Sequence, residues 1–153
     1  MLLLDEYSKK RVFSKTREPK PEKKIRNQNN KPVYVIQKHT ARKLHYDLRL
    51  EIDGVLKSWA IPKEPPTEAN IKRLAIQTED HPLTYAGFEG EIPEGLYGAG
   101  TVEIWDKGYC EFKETWENKI IFSTHETKKL KGTFCLIKTR MDSKNWLFFK
   151  KKN

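Results

Sequence analysis

Apolar and polar residues alternate with a period of two along residues 44–52, LHYDLRLEI. Successive side chains of a β-strand point to opposite faces, so this stretch is predicted to form a strand with one apolar and one polar face. The polar face carries His45, Asp47 and Arg49. A second strand-like run, VLKSWAI at 55–61, follows after Asp-Gly, a dipeptide typical of two-residue hairpin turns. The sequence therefore predicts a β-hairpin.

Short runs rich in β-branched and aromatic residues continue along most of the remaining chain and predict further strands. They lie at 33–39, 71–77, 101–105, 109–112, 119–124, 132–138 and 145–150. Asp106–Gly108 is expected to form the turn of another hairpin, and residues 86–100 a long loop punctuated by glycines. This pattern is typical of an antiparallel barrel or sandwich. We predict an all-β fold, an antiparallel β-barrel of about eight strands, because closure leaves no strand edge exposed.

The N-terminal part of the chain has a different composition. Residues 14–32 contain three prolines, many charges and one large aliphatic residue, Ile25. Such a stretch cannot bury enough apolar surface to offset the entropy of ordering it, so a mobile arm is predicted, preceded by a short helix within residues 3–13. We therefore divide the chain into a basic flexible arm at 1–31 and a barrel domain at 32–153.

Positive charge is concentrated in this arm. The whole chain has 30 Lys and Arg against 21 Asp and Glu, a net charge of +9. Residues 1–31 have ten basic and four acidic residues, which is +6 of that total. A basic excess indicates a polyanionic partner, and nucleic acid is favoured over a membrane surface because no amphipathic basic helix accompanies the charge.

Several classes of protein are excluded or disfavoured. No apolar run approaches the roughly 20 residues that cross a bilayer, and the run of leucines at 2–4 is too short for the core of a signal peptide. Cys110 and Cys135 form no CxxC pair, which argues against a zinc ribbon and a disulfide framework, although a single bridge between them stays open. We expect a cytoplasmic protein in a reducing compartment, without membrane contact.

The polar face of the predicted hairpin has the residue types of a metal site. His39 ends the preceding predicted strand, and a loop that folds back would bring it to His45 and Asp47. Two imidazoles and one carboxylate, without thiolate, suit Mn²⁺, Fe²⁺ or Zn²⁺ and leave coordination positions for water or substrate. Arg49 on the same face matches a phosphate group bidentately. A solvated surface is the commoner meaning of a polar strand face, so these residues alone leave both interpretations open.

Several stretches of the chain resemble one protein family. QKHTARKLHYDLRLEIDGVLKSWAIPK at 37–63, EDHPLTYAGFEGEIPEGLYGAGTVEIWDKG at 79–108 and NWLFFKK at 145–151 are similar to the 3′-phosphoesterase domain of the bacterial non-homologous end-joining DNA ligase D. That family also has free-standing bacterial and archaeal members. KRVFSKTREP at 10–19 resembles the family's N-terminal arm. The resemblance implies a β-barrel of about eight strands with its active site in a crescent-shaped groove.

The resemblance also implies a reaction, the healing of DNA 3′ ends. A Mn²⁺-dependent phosphodiesterase step removes a 3′-terminal ribonucleoside, and a phosphomonoesterase step then removes the 3′-phosphate to leave a 3′-OH for repair ligation. The implied substrates are the 3′ ends of DNA or DNA–RNA primer-templates. The implied cofactor is Mn²⁺, with Zn²⁺ or Co²⁺ as alternatives. A separately encoded DNA ligase or polymerase is an implied partner of the chain, which we expect to be a monomer.

Site residues are carried over from the resemblance position by position. The implied metal ligands are His39, His45 and Asp47. The implied phosphate contacts are Arg49 and His81. Supporting positions around the groove are Tyr85, Arg73, Gln37, Lys63 and Glu79, and the arm is implied to supply Arg11 and Glu18. Val12 departs from the family, which usually has an acidic residue there, and this leaves the preference between diester and monoester open.

Two other functions fit the same sequence. A nucleic-acid-binding barrel without turnover would also be basic and rich in strands. A scaffold protein would use the arm to dock a DNA ligase or polymerase. The face with His45, Asp47 and Arg49 favours the enzyme, because a binding surface needs cations and aromatic rings there rather than a carboxylate between an imidazole and a guanidinium.

Overall fold

The computed structural model describes residues 4–21, 31–140 and 142–152. These residues form one short α-helix, α1 (Asp5–Lys9), and one 3₁₀ helix (Leu83–Gly87). The strands are β1 (Val33–Thr40), β2 (Leu44–Ile52), β3 (Val55–Ile61), β4 (Lys72–His81), β5 (Gly90–Ile92), β6 (Gly100–Trp116), β7 (Lys119–His125), β8 (Thr133–Lys138) and β9 (Asn145–Lys150).

Eight of the strands close into an antiparallel barrel. Neighbouring strands follow the order β1-β2-β3-β4-β9-β8-β7-β6, and β6 pairs back with β1 to close the ring. The short β5 adds a pairing to β6 beside this ring. The predicted all-β antiparallel barrel is therefore confirmed. The predicted hairpin is β2–β3, whose turn residues Asp53 and Gly54 have the positive φ angles, 55° and 80°, that a tight primed turn requires.

The barrel interior holds the main hydrophobic core. Tyr46, Leu48 and Leu50 alternate along β2 and are buried there among aromatic residues of the other strands. The opposite face of β2 therefore points out of the barrel. A second apolar cluster lies on this outward side and contains Tyr7, Leu56, Tyr85, Phe88, Ile92 and Val102. The helix α1 and the loops after β4 thus form a layer over the polar face of β2.

The predicted turn at Asp106–Gly108 is wrong, because these residues lie within the continuous strand β6. The buried carboxylate of Asp106 accepts backbone N–H bonds from residues 128–130 and a hydroxyl bond from Tyr34. A Cβ atom at Gly108 would clash with the carbonyl oxygen of His125. Both residues thus serve contacts with distant parts of the chain, and their local resemblance to a turn misleads.

The arm and the glycine-rich loop also differ in part from expectation. The short helix predicted within residues 3–13 is α1, and the predicted loop at 86–100 contains the strand β5. Glu18 is buried and bonded to Tyr85, so the arm is in contact with the barrel layer at this residue. The rest of the predicted mobile segment, residues 22–30, lies outside the described residues, and mobility of the arm stays a prediction.

The cysteines and the helices bear on two further expectations, a possible disulfide and the absence of a membrane span. Cys110 and Cys135 are both free and buried, so no disulfide joins them. Among the described residues, no helix combines the length and the hydropathy that a bilayer-spanning segment needs.

Candidate active site

Three potential metal ligands meet at one end of the β1–β2 hairpin. His39 pairs directly with His45 across the two antiparallel strands, and Asp47 lies one outward position further along β2. The Nδ1 atom of His39 is 3.5 Å and the Nε2 atom of His45 is 3.3 Å from Oδ2 of Asp47. One ligand atom from each residue lies within 4.8 Å of the other two. Register thus brings together residues that the sequence separates.

Hydrogen bonds to backbone carbonyls orient both imidazoles. His39 donates from Nε2 to the carbonyl oxygen of Gly98 at 2.6 Å, and His45 donates from Nδ1 to that of Lys43 at 3.1 Å. Because a carbonyl only accepts, the nitrogen that faces Asp47 offers a lone pair to a metal when the ring is neutral, and an N–H to Asp47 when the ring is protonated. Outer contacts of this kind fix the tautomer of metal-binding histidines. The donor set of two nitrogens and one oxygen therefore fits a first-row divalent cation.

The charge state of Asp47 also suits a metal ligand. Burial alone would raise the pKa of this carboxyl, but hydrogen bonds from His39 and His45 and the charge of Arg49 hold its pKa well below its usual range. Burial would lower the pKa of His45, yet the bond to Asp47 outweighs it and the pKa is raised. Asp47 is therefore an anion at neutral pH, ready to bind a cation.

Arg49 follows the triad on the outward face of β2 and is held from several sides. It is 4% exposed, and one terminal nitrogen lies 3.6 Å from Oδ2 of Asp47. Its Nε donates to Oε1 of Gln37 at 2.6 Å, and its guanidinium lies 4.8 Å from the centre of the Tyr85 ring. Gln37 in turn donates to the carbonyl oxygens of Tyr85 and Phe88. Buried Gln37 thus positions the guanidinium of Arg49 through these hydrogen bonds.

His81, at the end of β4, lies between two guanidinium groups. Its Nδ1 is 3.1 Å from Arg49 and 2.9 Å from the carbonyl oxygen of Glu79, and its Nε2 is 3.3 Å from Arg11. Ser58 on β3 adds a hydroxyl 3.2 Å from Nδ1. Burial, followed by the charges of Arg49 and Arg11, lowers the pKa of His81 well below its ordinary value. The imidazole is therefore neutral at pH 7.

The arm completes the site with two further charged groups. Arg11 donates from Nε to Glu18 at 2.9 Å and from a terminal nitrogen to Glu79 at 3.0 Å. Tyr85 donates its hydroxyl to Glu18 at 2.7 Å. Burial would raise the pKa of Glu79, but hydrogen bonds from its own backbone and from Arg11 outweigh this and lower it. Lys10 bonds the second oxygen of Glu79 at 3.1 Å. A continuous polar network thus links the arm to the barrel.

These groups surround one cavity of about 310 Å³. The predicted site residues that line it are Arg11, Glu18, His39, His45, Asp47, Arg49, Glu79, His81 and Tyr85. Gln37 lies behind this wall, fully buried. Two predicted positions lie apart from it. Arg73 donates to the carbonyl oxygen of Glu64, and Lys63 is exposed just after β3.

Sequence reasoning missed several residues of the site. Ser58 lies opposite Arg49 in the β2–β3 register, and the alternation of β3 around buried Trp59 was the signal that would have placed it on the outward face. Tyr97 and Gly98 line the cavity from the loop between β5 and β6. Their position depends on how a glycine-rich loop folds over β1, and no local pattern indicates this.

Comparison with known proteins relates this chain to DNA ligase D. A family model described as the DNA Ligase D 3′-phosphoesterase domain matches residues 37–138. The chain is 45% identical, over 98% of its length, to the multifunctional non-homologous end joining protein LigD of Pseudomonas aeruginosa and to that of Mycolicibacterium smegmatis. It has the same identity and coverage with the multifunctional non-homologous end joining DNA repair protein LigD of Mycobacterium tuberculosis.

The match covers nearly all of this chain but a small part of these relatives. It spans 19%, 20% and 21% of the Pseudomonas, Mycobacterium tuberculosis and Mycolicibacterium proteins, so the chain is about a fifth of their length. The family model covers well over half of the chain and includes the ligand triad and Arg49. The chain therefore belongs to the DNA ligase D 3′-phosphoesterase domain family.

Proposed function

We propose that the protein is a metal-dependent phosphoesterase that processes DNA 3′ ends for repair. Its proposed activities are a phosphodiesterase step that removes a 3′-terminal ribonucleoside and a phosphomonoesterase step that removes a 3′-phosphate, with Mn²⁺ as the cofactor. Family membership supports the reaction class, and relatives named for non-homologous end joining support the role in repair. A separately encoded DNA ligase or polymerase is the proposed consumer of the 3′-OH product.

One observation carries this proposal. One ligand atom from each of His39, His45 and Asp47 lies within 4.8 Å of the other two, and the other nitrogen of each imidazole is occupied by a backbone carbonyl. A surface evolved only to bind nucleic acid has no need for two imidazoles held in this way beside a buried carboxylate. Arg49 stands next to the triad, where a phosphate bound at the metal would find a second positive group.

The proposed roles follow from the contacts. His39, His45 and Asp47 would hold the divalent ion, which when bound draws electron density from a phosphate oxygen. Arg49, braced by Gln37, stabilises negative charge on the phosphate oxygens in the transition state. Neutral His81 is able to accept a proton or to donate a hydrogen bond from its ring. Ser58 is fully buried behind the cavity wall and donates its hydroxyl to the carbonyl oxygen of Leu56, and the described lining residues include no Cys, so water is the proposed nucleophile.

The arm is proposed to be part of the catalytic unit. Arg11 faces His81 and adds a second cation to the cavity, while Glu18 holds Arg11 and Tyr85 in place. On this proposal the division at residue 31 separates two segments of one active site. Deletion of residues 1–30 should then reduce turnover. Loss of partner binding with turnover intact would instead favour an arm used for docking.

The test uses the purified chain with Mn²⁺ and two primer-templates, one ending in a 3′-phosphate and one in a single ribonucleotide. Phosphate release and product length are measured, and bound metal is quantified by mass spectrometry. We expect His45→Ala to lose bound Mn²⁺ and roughly 100-fold or more in kcat, because one of three ligands is removed. His125→Ala is the control, since His125 stacks on Tyr109 and is not among the described lining residues.

The outcomes separate the candidate functions. Release of phosphate by the wild type and not by His45→Ala supports the enzyme. Primer binding without release, unchanged by His45→Ala, would establish a nucleic-acid-binding barrel instead. Repeating the assay with Zn²⁺ and Co²⁺ identifies the ion that supports the highest turnover. Arg73→Ala in the same assay tests its predicted role, which the position of this residue away from the described cavity does not support.

A further inference from the structure

Tyr97 is an exposed aromatic residue at the mouth of the active-site cavity. It lies in the loop between β5 and β6, and its side chain lines the same cavity as the ligand triad and Arg11. The residue is 47% exposed, although most tyrosines in this fold are buried or half-buried. Leu44, Leu74, Trp116 and Val12 are the other large hydrophobic residues with comparable exposure among those described, and none of them lines the cavity. Tyr97 therefore combines solvent access with proximity to the proposed chemistry.

The ring is held at a defined place relative to the metal ligands. Its neighbour Leu96 packs against the apolar cluster outside the barrel, and its other neighbour Gly98 accepts the hydrogen bond of His39. Consecutive Cα atoms are about 3.8 Å apart, so Tyr97 lies one residue from an oxygen that contacts a ligand imidazole. Tyr97 is thus adjacent in the chain to a residue that contacts a ligand imidazole, and its side chain lines the same cavity as the triad.

Two cations accompany the ring. Nζ of Lys10 lies 4.8 Å and the guanidinium carbon of Arg11 lies 5.4 Å from the ring centre. Proteins that bind single nucleic-acid strands combine such parts, because bases stack on aromatic faces while cations contact the phosphates. An aromatic face also accepts every base, whereas readout of sequence needs hydrogen bonds to base edges.

We infer that Tyr97 is a specificity-determining residue that stacks on the base of the 3′-terminal nucleotide, independently of which base it is. This rests on the proposed function, since the terminal phosphate must lie at the triad for that base to reach the ring. The stacking favours ends that carry an intact terminal base over abasic ends. Lys10 and Arg11, which lie beside the ring, add positive charge that attracts the phosphates of the bound strand.

The experiment measures binding, so that it does not depend on turnover. Two all-deoxy primer-templates with a 3′-OH are used, one with a normal terminal nucleotide and one with a tetrahydrofuran abasic residue in its place. Dissociation constants are measured by fluorescence anisotropy for the Mn²⁺-loaded full chain. Tyr97→Ala removes the ring, Tyr97→Phe keeps it, and Trp116→Ala removes an exposed aromatic residue that is not among the described lining residues.

We expect the wild type to prefer the intact end by about 5-fold or more, the range typical of one base stacked on one aromatic side chain. Tyr97→Ala should abolish the preference and leave abasic binding unchanged, while Tyr97→Phe and Trp116→Ala should retain it. Replacing the terminal base with another base should change the dissociation constant by less than removing the base does. The proposal would be overturned if the wild type did not prefer the intact end, or if Tyr97→Ala kept that preference. It would also be overturned if Tyr97→Phe lost the preference. A chain that shows the preference but releases no phosphate would contradict the proposed function and not this inference.

Discussion

Replacing Glu18 with glutamine should release the arm from the barrel. Glu18 is buried and accepts hydrogen bonds from Arg11, Tyr85 and Thr16. Glutamine has the same shape but one acceptor oxygen and no charge, so the bonds from Arg11 and Tyr85 lose the negative charge that strengthens them. The Glu18→Gln variant therefore weakens the contact that holds residues 14–21 against the barrel.

The magnitude follows from what remains bound after the substitution. Removal of one partner from a fully buried ion pair typically costs about 3–5 kcal/mol. Arg11 keeps its second carboxylate, Glu79 at 3.0 Å, and glutamine still accepts from one neighbour. A cost of about 2 kcal/mol is therefore expected, which corresponds to roughly a 30-fold larger population of the open arm.

The rate of trypsin cleavage reports this population. Lys15 and Arg17 have exposed side chains, but their backbone lies next to the buried Glu18, so trypsin needs the arm to open before it can cleave there. When opening and closing are fast relative to cleavage, the cleavage rate follows the equilibrium population of the open form. Mass spectrometry should show cleavage after Arg17 to be roughly 30-fold faster in Glu18→Gln than in the wild type. The exposed Glu68→Gln serves as the control and should cleave at the wild-type rate. Equal rates in Glu18→Gln and wild type would refute the view that Glu18 anchors the arm.

Three further predictions concern folding. Asp106→Asn should lower the free energy of unfolding in urea by about 2–4 kcal/mol, because its buried carboxylate accepts three backbone N–H bonds. Gly108→Ala should lower it by about 1–3 kcal/mol through the clash with His125, while the unhindered Gly87→Ala should leave it nearly unchanged. Burial and two arginines lower the pKa of His81 below 6.5, so the unfolded chain takes up a proton that the folded chain does not. The free energy of unfolding of the wild type should consequently fall as the pH drops below 6.5. In urea titrations, the free energy of unfolding of His81→Asn should decrease less over the same pH range.

The sequence predicts the half of the site that lies on one strand. Alternation along β2 places His45, Asp47 and Arg49 on one face, and the hairpin register with β1 then brings His39 to them. These are short-range consequences of strand geometry, which a periodic pattern reports well. The resemblance, rather than composition, indicated Arg11 and His81, since neither lies in a pattern that indicates contact with β2.

Prediction from the local sequence is wrong where contacts with distant residues determine the conformation. Asp106 and Gly108 have the composition of a turn, yet a carboxylate bonded to residues 128–130 and a close approach to His125 keep them in a strand. Composition also omits contacts of the arm. Mobility of the arm stays a prediction from composition, and the buried bonds of Glu18 to Arg11 and Tyr85 are contacts that composition does not contain.

The charges around the cavity give a reason for a metal that is independent of family membership. Arg11 and Arg49 contribute two positive charges, and Glu18, Asp47 and Glu79 contribute three negative ones. This leaves the described lining at −1 when His81 is neutral and His39 and His45 are in the neutral form that binds a metal. A phosphate dianion would be repelled by such a wall. A bound divalent cation changes the lining from −1 to +1, and the same phosphate is then attracted. Charge reversal of this kind makes substrate binding, as well as the chemical step, depend on the cation, so that the two should be lost together when the metal is removed.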